Sequence, residues 1–234
     1  MKTLAVIVPI YNEERSIPRL VSELNDLPQG TFTEVIFVND GSLDNSVKVL
    51  EEALSKSHLN AKVLSKENGG KASAIQVGVK EVTANYSLIL DADLELATTD
   101  ILKLWGVVLS GQSDTVFGYR TFLAQSSFTY RYAKGNHVIS NLYGLLFNEV
   151  ITDIMCGYKL VPTAMLKSLP FRFKKYAIEI EIPIHLWKAR IRPFEVQVQY
   201  APRSREDGKG ITVIDAISII STMIFYRILK VRRK

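Results

Sequence analysis

The stretch Leu88-Ile89-Leu90-Asp91-Ala92-Asp93 joins a short apolar run to two carboxylates that stand two residues apart. The apolar run predicts a buried strand, and a bend after it would let Asp91 and Asp93 face one cation. Mg²⁺ and Mn²⁺ are commonly held by one or two carboxylates together with phosphate oxygens of a substrate. Asp is also common in turns that merely end a strand, so the pair predicts a metal site only if other polar clusters converge on it.

The first half of the chain alternates apolar, β-branched runs with amphipathic helical patterns. Strands are predicted at residues 4–8, 35–38, 62–64, 87–90 and 115–117, and helices at residues 16–24, 44–54, 71–82 and 100–109. In the second helix, for example, Val47, Leu50 and Leu54 recur at a spacing that places them on one buried face. Such alternation predicts an α/β fold with a mostly parallel central sheet covered on both faces.

Length and composition are those of one globular unit. The 234 residues are 47% hydrophobic and 23% charged, which favours a sizeable core and argues against disorder. The lone Cys156 forms no bridge within the chain and fits a reducing compartment. The five apolar residues before Pro9 are too few for the core of a signal peptide, so they are interpreted as a strand and nothing predicts export.

Polar residues follow three of the predicted strands: Tyr11-Asn12-Glu13, Asn39-Asp40-Gly41-Ser42 and Asp91-Ala92-Asp93. Open α/β sheets bind ligands at the carboxyl ends of their strands, so the three clusters predict one shared crevice. Each cluster taken alone is also a turn or helix-cap signal. The first strand–helix turn has no G-x-G-x-x-G, and residues 65–72 depart from a P-loop at both ends, so neither phosphate-binding motif explains the crevice.

With further segments, these clusters resemble family 2 glycosyltransferases, in particular the dolichyl- and polyprenyl-phosphate mannose and glucose synthases. The resemblance rests on the order and spacing of motifs at residues 8–13, 38–42, 68–74, 91–93, 118–120, 153–159 and 200–203. It implies a GT-A type, Rossmann-like fold that binds a nucleotide sugar through a divalent cation, Mg²⁺ or Mn²⁺. The sequence departs from the family pattern at Asn39, which replaces the first Asp of Asp-Asp-Gly-Ser, and at Ala72, which replaces a Gly.

The resemblance also implies the residues of the site. The nucleotide sugar would contact Pro9, Tyr11, Asn12, Glu13, Val38, Asp40, Lys71, Asp91 and Ala92. Asp91 and Asp93 would hold the metal, with Glu95 as a third candidate ligand at a position where lipid-phosphate members often carry Gln. Asp93, Arg120 and Asp153 are the predicted catalytic residues, since Asp153 lies close to the reacting centre in the family match.

Cleavage of a sugar–diphosphate bond leaves negative charge on the diphosphate. A metal held by Asp91 and Asp93 would neutralise part of that charge. Arg120, Arg203 and Lys209 are predicted to donate charge-assisted hydrogen bonds to phosphate oxygens, because arginine binds such oxygens in bidentate fashion.

The acceptor decides whether a general base is needed. A hydroxyl acceptor requires one, whereas a lipid monophosphate is already anionic. None of the three histidines is a clear base, and Asp153 and Glu181 are the alternatives. We predict an inverting, metal-dependent enzyme that moves mannose or glucose from GDP-mannose or UDP-glucose to a polyprenyl or dolichyl phosphate. A saccharide hydroxyl acceptor and a non-catalytic nucleotide-sugar-binding module remain open.

Residues 115–148 contain no acid and mix Arg120, Arg131 and Lys134 with aromatic side chains. Such a mix suits a loop that binds an anionic lipid phosphate at a membrane interface. A loop that stacks on single-stranded nucleic acid and a helix that buries its aromatic residues are the alternatives. We predict the lipid and no nucleic-acid partner.

The C-terminal end is basic and partly apolar. Residues 1–210 are predicted to form the catalytic domain and residues 211–234 an amphipathic helix. Residues 201–234 carry eight basic and three acidic residues, which equals the whole net charge of +5. The apolar run 216–226 is shorter than the about 20 residues that span a bilayer. The helix is therefore predicted either to lie on an anionic membrane surface or to pack on the domain. The first alternative predicts a protein bound peripherally to the cytoplasmic face of a membrane.

Overall fold

A computed structural model of the protein describes residues 1–121, 130–172, 175–202 and 213–228. Its centre is a seven-stranded sheet with the order β3-β2-β1-β4-β6-β5-β7. The strands are β1 (Leu4–Ile10), β2 (Glu34–Asn39), β3 (Ala61–Ser65), β4 (Tyr86–Ile89), β5 (Val116–Arg120), β6 (Lys159–Pro162) and β7 (Phe194–Val198). Only β6 runs against its neighbours in the described sheet, so the prediction of a mostly parallel α/β fold is confirmed.

Helices cover both faces of the sheet. They are α1 (Ile17–Asn25), α2 (Ser46–Leu54), α3 (Lys71–Glu81), α4 (Ile101–Leu109), α5 (Tyr130–Phe147), α6 (Thr163–Lys167), α7 (Ile178–Lys188) and α8 (Val213–Ile228). Side chains of β1 alternate between two cores: Ile7 packs with α3 and α5–α8, whereas Val6 and Val8 pack with α1, α2 and α4. Period-two alternation with both faces apolar is what a covered parallel strand requires.

The sequence located the first four strands and four helices to within two residues at each end. The fifth strand is longer than predicted, because pairing with β7 continues as far as Arg120 opposite Val198. Arg120 is therefore the last residue of β5, and the prediction that the strand ends at residue 117 is wrong. The predicted interfacial loop is also wrong for residues 130–147, which form α5 and bury Tyr143 and Phe147.

Helix α8 packs on the domain through one of its faces. Ile219, Met223 and Tyr226 join the core beside α7 and α5, and the Tyr226 hydroxyl donates a 2.6 Å hydrogen bond to the buried Glu181 carboxylate. The opposite face carries the exposed residues Ile217, Ile224 and Ile228. Helix α8 is therefore apolar both on the face that packs on the domain and on the outer face. Within the described ranges, no helix is long and apolar enough to cross a membrane.

Candidate active site

The candidate residues meet at one edge of the sheet. The carboxyl ends of β1, β2 and β4 bring their polar clusters there, and Arg120 and Tyr200 arrive at the ends of β5 and β7. Because β6 is antiparallel, its beginning lies at this edge and adds the loop of residues 153–157. The predicted crevice is therefore lined by five strand ends and the loop that leads into a sixth strand.

The turns after β1 and β2 are joined by hydrogen bonds. Asn12 has a left-handed backbone with φ 56°, a conformation that Asn tolerates better than most residues, and its side-chain oxygen accepts a 2.8 Å hydrogen bond from the Leu43 amide. The Glu13 amide donates to the Ser46 hydroxyl over 2.8 Å. Pro9 and Val38 are paired residues on β1 and β2 beneath these turns. Hydrogen bonds and strand pairing thus connect the nucleotide-side candidates of both strands, but Val38 is fully buried, so its side chain does not line the crevice.

Asp40 organises the loop before α3. Its carboxylate is 3% exposed and accepts hydrogen bonds from the Gly69 and Gly70 amides at 2.9 and 2.6 Å and from Lys66 Nζ at 2.7 Å. These bonds satisfy amides at the helix N-terminus, where a carboxylate is favourable. Gly41 has φ +72°, and an added Cβ would lie 2.7 Å from the Asn68 nitrogen, so glycine is required there.

Asp91 is ion-paired to a buried lysine. Lys71 Nζ lies 2.6 Å from Asp91 Oδ1 and 2.7 Å from Glu179 Oε1. Glu179 in turn pairs with Lys159, whose ammonium also donates to the Ile154 and Cys156 carbonyls. Burial lowers the pKa of Lys71, but the two carboxylates raise it further than burial lowers it, so Lys71 stays charged. Two lysines and two carboxylates therefore alternate from the crevice into the core.

Asp93 and Glu95 are placed by a strained turn. Leu94 between them has φ 59°, a rare conformation for a residue of its type, and the Glu95 amide donates to Asp93 Oδ1 over 3.1 Å. Glu95 Oε2 accepts a 3.0 Å hydrogen bond from the Tyr200 hydroxyl, and the Ala201 amide donates to the Glu95 carbonyl. The motif that begins with Asp91 is thereby tied to the end of β7.

Arg120 and Asp153 form a bidentate ion pair. Arg120 Nε and one terminal nitrogen donate to the two Asp153 oxygens over 2.6 and 2.9 Å, and the Arg120 amide donates to the same carboxylate. Burial lowers the pKa of Arg120, but the charge and hydrogen bonds of the Asp153 carboxylate raise it by more, so the arginine pKa is raised overall. The guanidinium also lies 5.0 Å from the centre of the Tyr200 ring. Asp153 and Tyr200 thus hold the Arg120 guanidinium at the end of β5, where 12% of its side chain is exposed.

The remaining candidates are less tightly placed. Lys134 is exposed on α5, and Arg131 belongs to the first turn of that helix. Arg203 and Lys209 lie outside the described residues. Glu181 accepts hydrogen bonds from the Tyr226 hydroxyl and the Arg172 amide. It lies beside the C-terminal end of α8, and these bonds do not favour its role as a base. His185 Nδ1 donates a 2.8 Å hydrogen bond to the Glu181 carbonyl within the same helix, which does not favour a role as a base.

Four residues of the site were missed at the sequence level: Lys159, Glu179, Tyr200 as a link between Glu95 and Arg120, and Gly157. A Cβ on Gly157 would overlap Asp91 Oδ2. Glu179 and Glu181 did carry a signal, because two acids within the apolar run 178–187 are buried, and buried acids need partners. Which partners they have could be read only from the fold.

The donor set at Asp91 fits a hard divalent cation. Carboxylate oxygens are the ligands that Mg²⁺ and Mn²⁺ prefer, and the Asp91 carboxylate already binds a positive group, the Lys71 ammonium. Among the described residues, no three His, Cys, Asp or Glu side chains converge closely enough to form a complete metal site. Protein carboxylates completed by phosphate oxygens of a ligand are the arrangement that this geometry allows.

Residues 5–169 match the family model described as glycosyl transferase family 2, and the chain belongs to that family. An uncharacterized protein of Methanocaldococcus jannaschii is 28% identical over 84% of this chain and 88% of its own length. The undecaprenyl-phosphate 4-deoxy-4-formamido-L-arabinose transferase of Proteus mirabilis is 30% identical over 88% of this chain, and glycosyltransferase AglJ of Haloferax volcanii is 24% identical over 86%. The chain spans less than two thirds of the length of these last two relatives, 62% and 63%.

Solved structures show the same fold. Glucosyl-3-phosphoglycerate synthase from Mycobacterium tuberculosis, in complex with Mn²⁺, UDP and phosphoglyceric acid, superposes with a TM-score of 0.75 at 19% identity. The match covers 97% of this chain and 78% of that one. The complex of the same enzyme with Mg²⁺ and UDP has a TM-score of 0.74 and 19% identity, over 96% of this chain and 79% of that one. The protein is thus a family 2 glycosyltransferase with a GT-A type fold.

Proposed function

We propose that the protein transfers a hexose, mannose or glucose, from a nucleotide sugar to a polyprenyl or dolichyl phosphate, with inversion at the sugar carbon. The relative from Proteus mirabilis is named for an undecaprenyl-phosphate transferase activity, which supports a lipid-phosphate acceptor. The crevice supports the donor, since its nucleotide side joins the ends of β1 and β2 and its phosphate side carries Asp91 and Asp93.

The Arg120–Asp153 ion pair is the observation that favours a phosphate acceptor over a hydroxyl acceptor. Asp153 was one of two candidate bases for a hydroxyl acceptor, and three hydrogen bonds from Arg120 engage its oxygens. The pair instead fixes a guanidinium at the crevice, where it can bind phosphate oxygens. A phosphate acceptor needs no base to become anionic, so this arrangement suits it better than a hydroxyl.

The divalent cation belongs to the proposal through Asp91 and Asp93; within the described residues, the predicted third ligand, Glu95, does not complete a three-ligand site with them. When bound, it would neutralise negative charge on the departing diphosphate. The chain's own residues bind and orient the substrates. Asp40 and Lys66 hold the loop beside the nucleotide, and Tyr200 fixes the positions of Glu95 and Arg120 through a hydrogen bond and a ring contact. Arg131 and Lys134 are proposed as further phosphate-binding cations of the acceptor side, and Arg203 and Lys209 as cations that bind the nucleotide sugar through its phosphate oxygens.

A membrane surface is the proposed location of the acceptor. Ile217, Ile224 and Ile228 form the outer face of α8, and Arg227 is exposed beside them. Lys230, Arg232, Arg233 and Lys234 follow in the sequence. An apolar face with a basic end suits a helix that lies on anionic headgroups. We propose peripheral binding to the cytoplasmic face.

The test is transfer of label into a lipid. The protein is incubated with Mn²⁺ or Mg²⁺, radiolabelled GDP- and UDP-sugars, and polyprenyl phosphate in detergent, and the products are extracted into organic solvent. We expect label in the organic phase with polyprenyl phosphate and none with polyprenol, which lacks the phosphate. Transferred label confined to water-soluble saccharide would overturn the lipid acceptor, and nucleotide binding without turnover would favour a binding module.

The variant Asp93→Ala tests the metal side of the same reaction. We expect transfer to fall by at least about a hundredfold, because the charge of the leaving diphosphate would be poorly compensated. Circular dichroism and the melting temperature should stay near those of the parent, since Asp93 lies at a partly exposed turn. An active Asp93→Ala protein would remove Asp93 from the proposed metal site.

A further inference from the structure

Lys71 stands between two carboxylates with different surroundings. Asp91 faces the crevice, with 29% of its side chain exposed, whereas the Glu179 side chain is 4% exposed and lies behind it. The ammonium bonds both Asp91 oxygens, at 2.6 and 2.8 Å, and one Glu179 oxygen at 2.7 Å. Lys71 thus occupies the oxygens of Asp91 that a divalent cation would use.

Glu179 has a second cation of its own. Lys159 is 1% exposed, pairs with Glu179, and completes its hydrogen bonds on the Ile154 and Cys156 carbonyls. Buried charges are stable only when they are paired and hydrogen-bonded, and the Lys159–Glu179 pair meets that condition. Glu179 can therefore keep a full negative charge in the core whether or not Lys71 remains bound to Asp91.

We propose that Lys71 is a competing counter-ion for Asp91, and that it transfers fully to Glu179 when a divalent cation with its diphosphate binds. The proposal rests on the function proposed above, in that it assigns Asp91 to the metal. It gives Lys71 and Glu179 the role of positioning residues that set metal affinity.

Two substitutions should act in opposite directions. Lys71→Gln removes the competing cation, so Mn²⁺ should bind more tightly by about fivefold, the ratio that corresponds to roughly 1 kcal/mol of ion pairing. Glu179→Gln removes the alternative partner and leaves Lys71 on Asp91, so Mn²⁺ should bind more weakly by a similar factor. A purely structural role would weaken Mn²⁺ binding in both variants.

The measurement is Mn²⁺ binding by electron paramagnetic resonance, on the full chain with and without UDP and with neither sugar nor lipid present. Lys62→Gln is the matched control, since it removes the same charge from a lysine–carboxylate pair outside the crevice, Lys62–Glu81. We expect its Mn²⁺ affinity, with and without UDP, to equal that of the parent. An equal gain in Lys62→Gln and Lys71→Gln would mean a general charge effect and would overturn the proposal.

Other outcomes are equally decisive. Unchanged or weaker Mn²⁺ binding by folded Lys71→Gln contradicts the competition, even if Glu179→Gln fails to fold because Lys159 has lost its carboxylate. No Mn²⁺ binding by the parent protein, with or without UDP, overturns the proposal together with the metal site. A normal metal response without any transfer to polyprenyl phosphate leaves Lys71 as the competitor and removes only the proposed acceptor.

Discussion

At the scale of single residues, the closest fit in the site is that between Gly157 and Asp91. An alanine Cβ at residue 157 would overlap Asp91 Oδ2 and would lie 3.6 Å from Lys71 Nζ. The carboxylate would have to retreat by about 1 Å to reach ordinary contact distance. Displacements of this size in a catalytic group cost about a hundredfold in rate.

We therefore expect Gly157→Ala to reduce sugar transfer by about a hundredfold, measured as kcat/KM for the nucleotide sugar. The melting temperature serves as the control, because a loss of activity through unfolding would appear there. Transfer at the parent rate in a folded Gly157→Ala protein would show that the orientation of Asp91 is unimportant.

Tyr200 connects the two sides of the crevice. Its hydroxyl donates to Glu95, and its ring lies beneath Arg120. Burial, followed by the Glu95 charge, raises the pKa of the phenol, so the hydroxyl keeps its proton at neutral pH. Because a hydrogen bond to a charged group is worth about 1.5–3 kcal/mol, Tyr200→Phe should lower kcat/KM by about tenfold or more.

Tyr86→Phe is the matched control for Tyr200→Phe. It also removes a phenol hydroxyl that donates to a carboxylate, that of Asp114, but Tyr86 begins β4 at the opposite edge of the sheet. We expect its transfer kinetics to equal those of the parent. Equal losses in the two variants would argue that Tyr200 acts through stability and not through Glu95 and Arg120.

At the scale of elements, α3 lies unusually close to the sheet. An added Cβ at Gly78 would lie 2.9 Å from methyl groups of both Ile7 and Val38. Alanine favours a helix over glycine by about 1 kcal/mol, but overpacking a core costs about 1–3 kcal/mol. Since β1 and β2 end at the crevice, the spacing of α3 also bears on the site.

We expect Gly78→Ala to lower the free energy of unfolding by about 1–2 kcal/mol, measured by urea denaturation. Gly106→Ala in α4 is the control, because its Cβ would meet nothing within 4 Å. That variant should be stabilised by about 0.5–1 kcal/mol through helix propensity alone. Stabilisation of both variants would contradict the close packing of α3.

At the scale of the whole molecule, α8 gives the protein two apolar surfaces on one helix. The inner face completes the core, and the outer face carries Ile217, Ile224 and Ile228. The double variant Ile224→Glu/Ile228→Glu should weaken binding to phosphatidylserine-containing vesicles at least tenfold, since burying one such side chain is worth about 1.5–3 kcal/mol. Co-sedimentation with vesicles measures this.

Leu109→Glu provides the control for charge. Leu109 is an exposed apolar residue at the end of α4, in the helical layer on the other face of the sheet. We expect its vesicle binding to equal that of the parent. Unaltered binding by the α8 double variant would place the membrane contact elsewhere or remove it.

Much of the first half of the fold and of the donor side was predictable from the sequence. Strand periodicity located β1–β4, and the polar clusters at their ends predicted a common crevice, because parallel strands end at the same edge of a sheet. Asp91, Asp40 and Asn12 were all found by this reasoning. The resemblance to family 2 glycosyltransferases, which rests on motif order, was confirmed by the family match.

The second half was harder to read because its pattern is less regular. Helix α5 mixes aromatic, basic and small residues, so the same composition fitted a loop, and only the burial of Tyr143 and Phe147 distinguishes the two. Strand β6 is four residues long and antiparallel, and such a short apolar segment has no distinctive periodicity. Its direction matters, because it brings residues 153–157 to the crevice.

The sequence by itself determined the class of fold and the chemical types at the strand ends, since both follow from local periodicity and turn chemistry. Only the tertiary structure decided which charges pair. Lys71 meets Glu179 across 108 positions of the chain, and Tyr200 meets Glu95 across 105. Ion pairs and hydrogen bonds depend on distances of a few ångströms between side chains, and local sequence patterns do not specify those distances for residues so far apart in the chain.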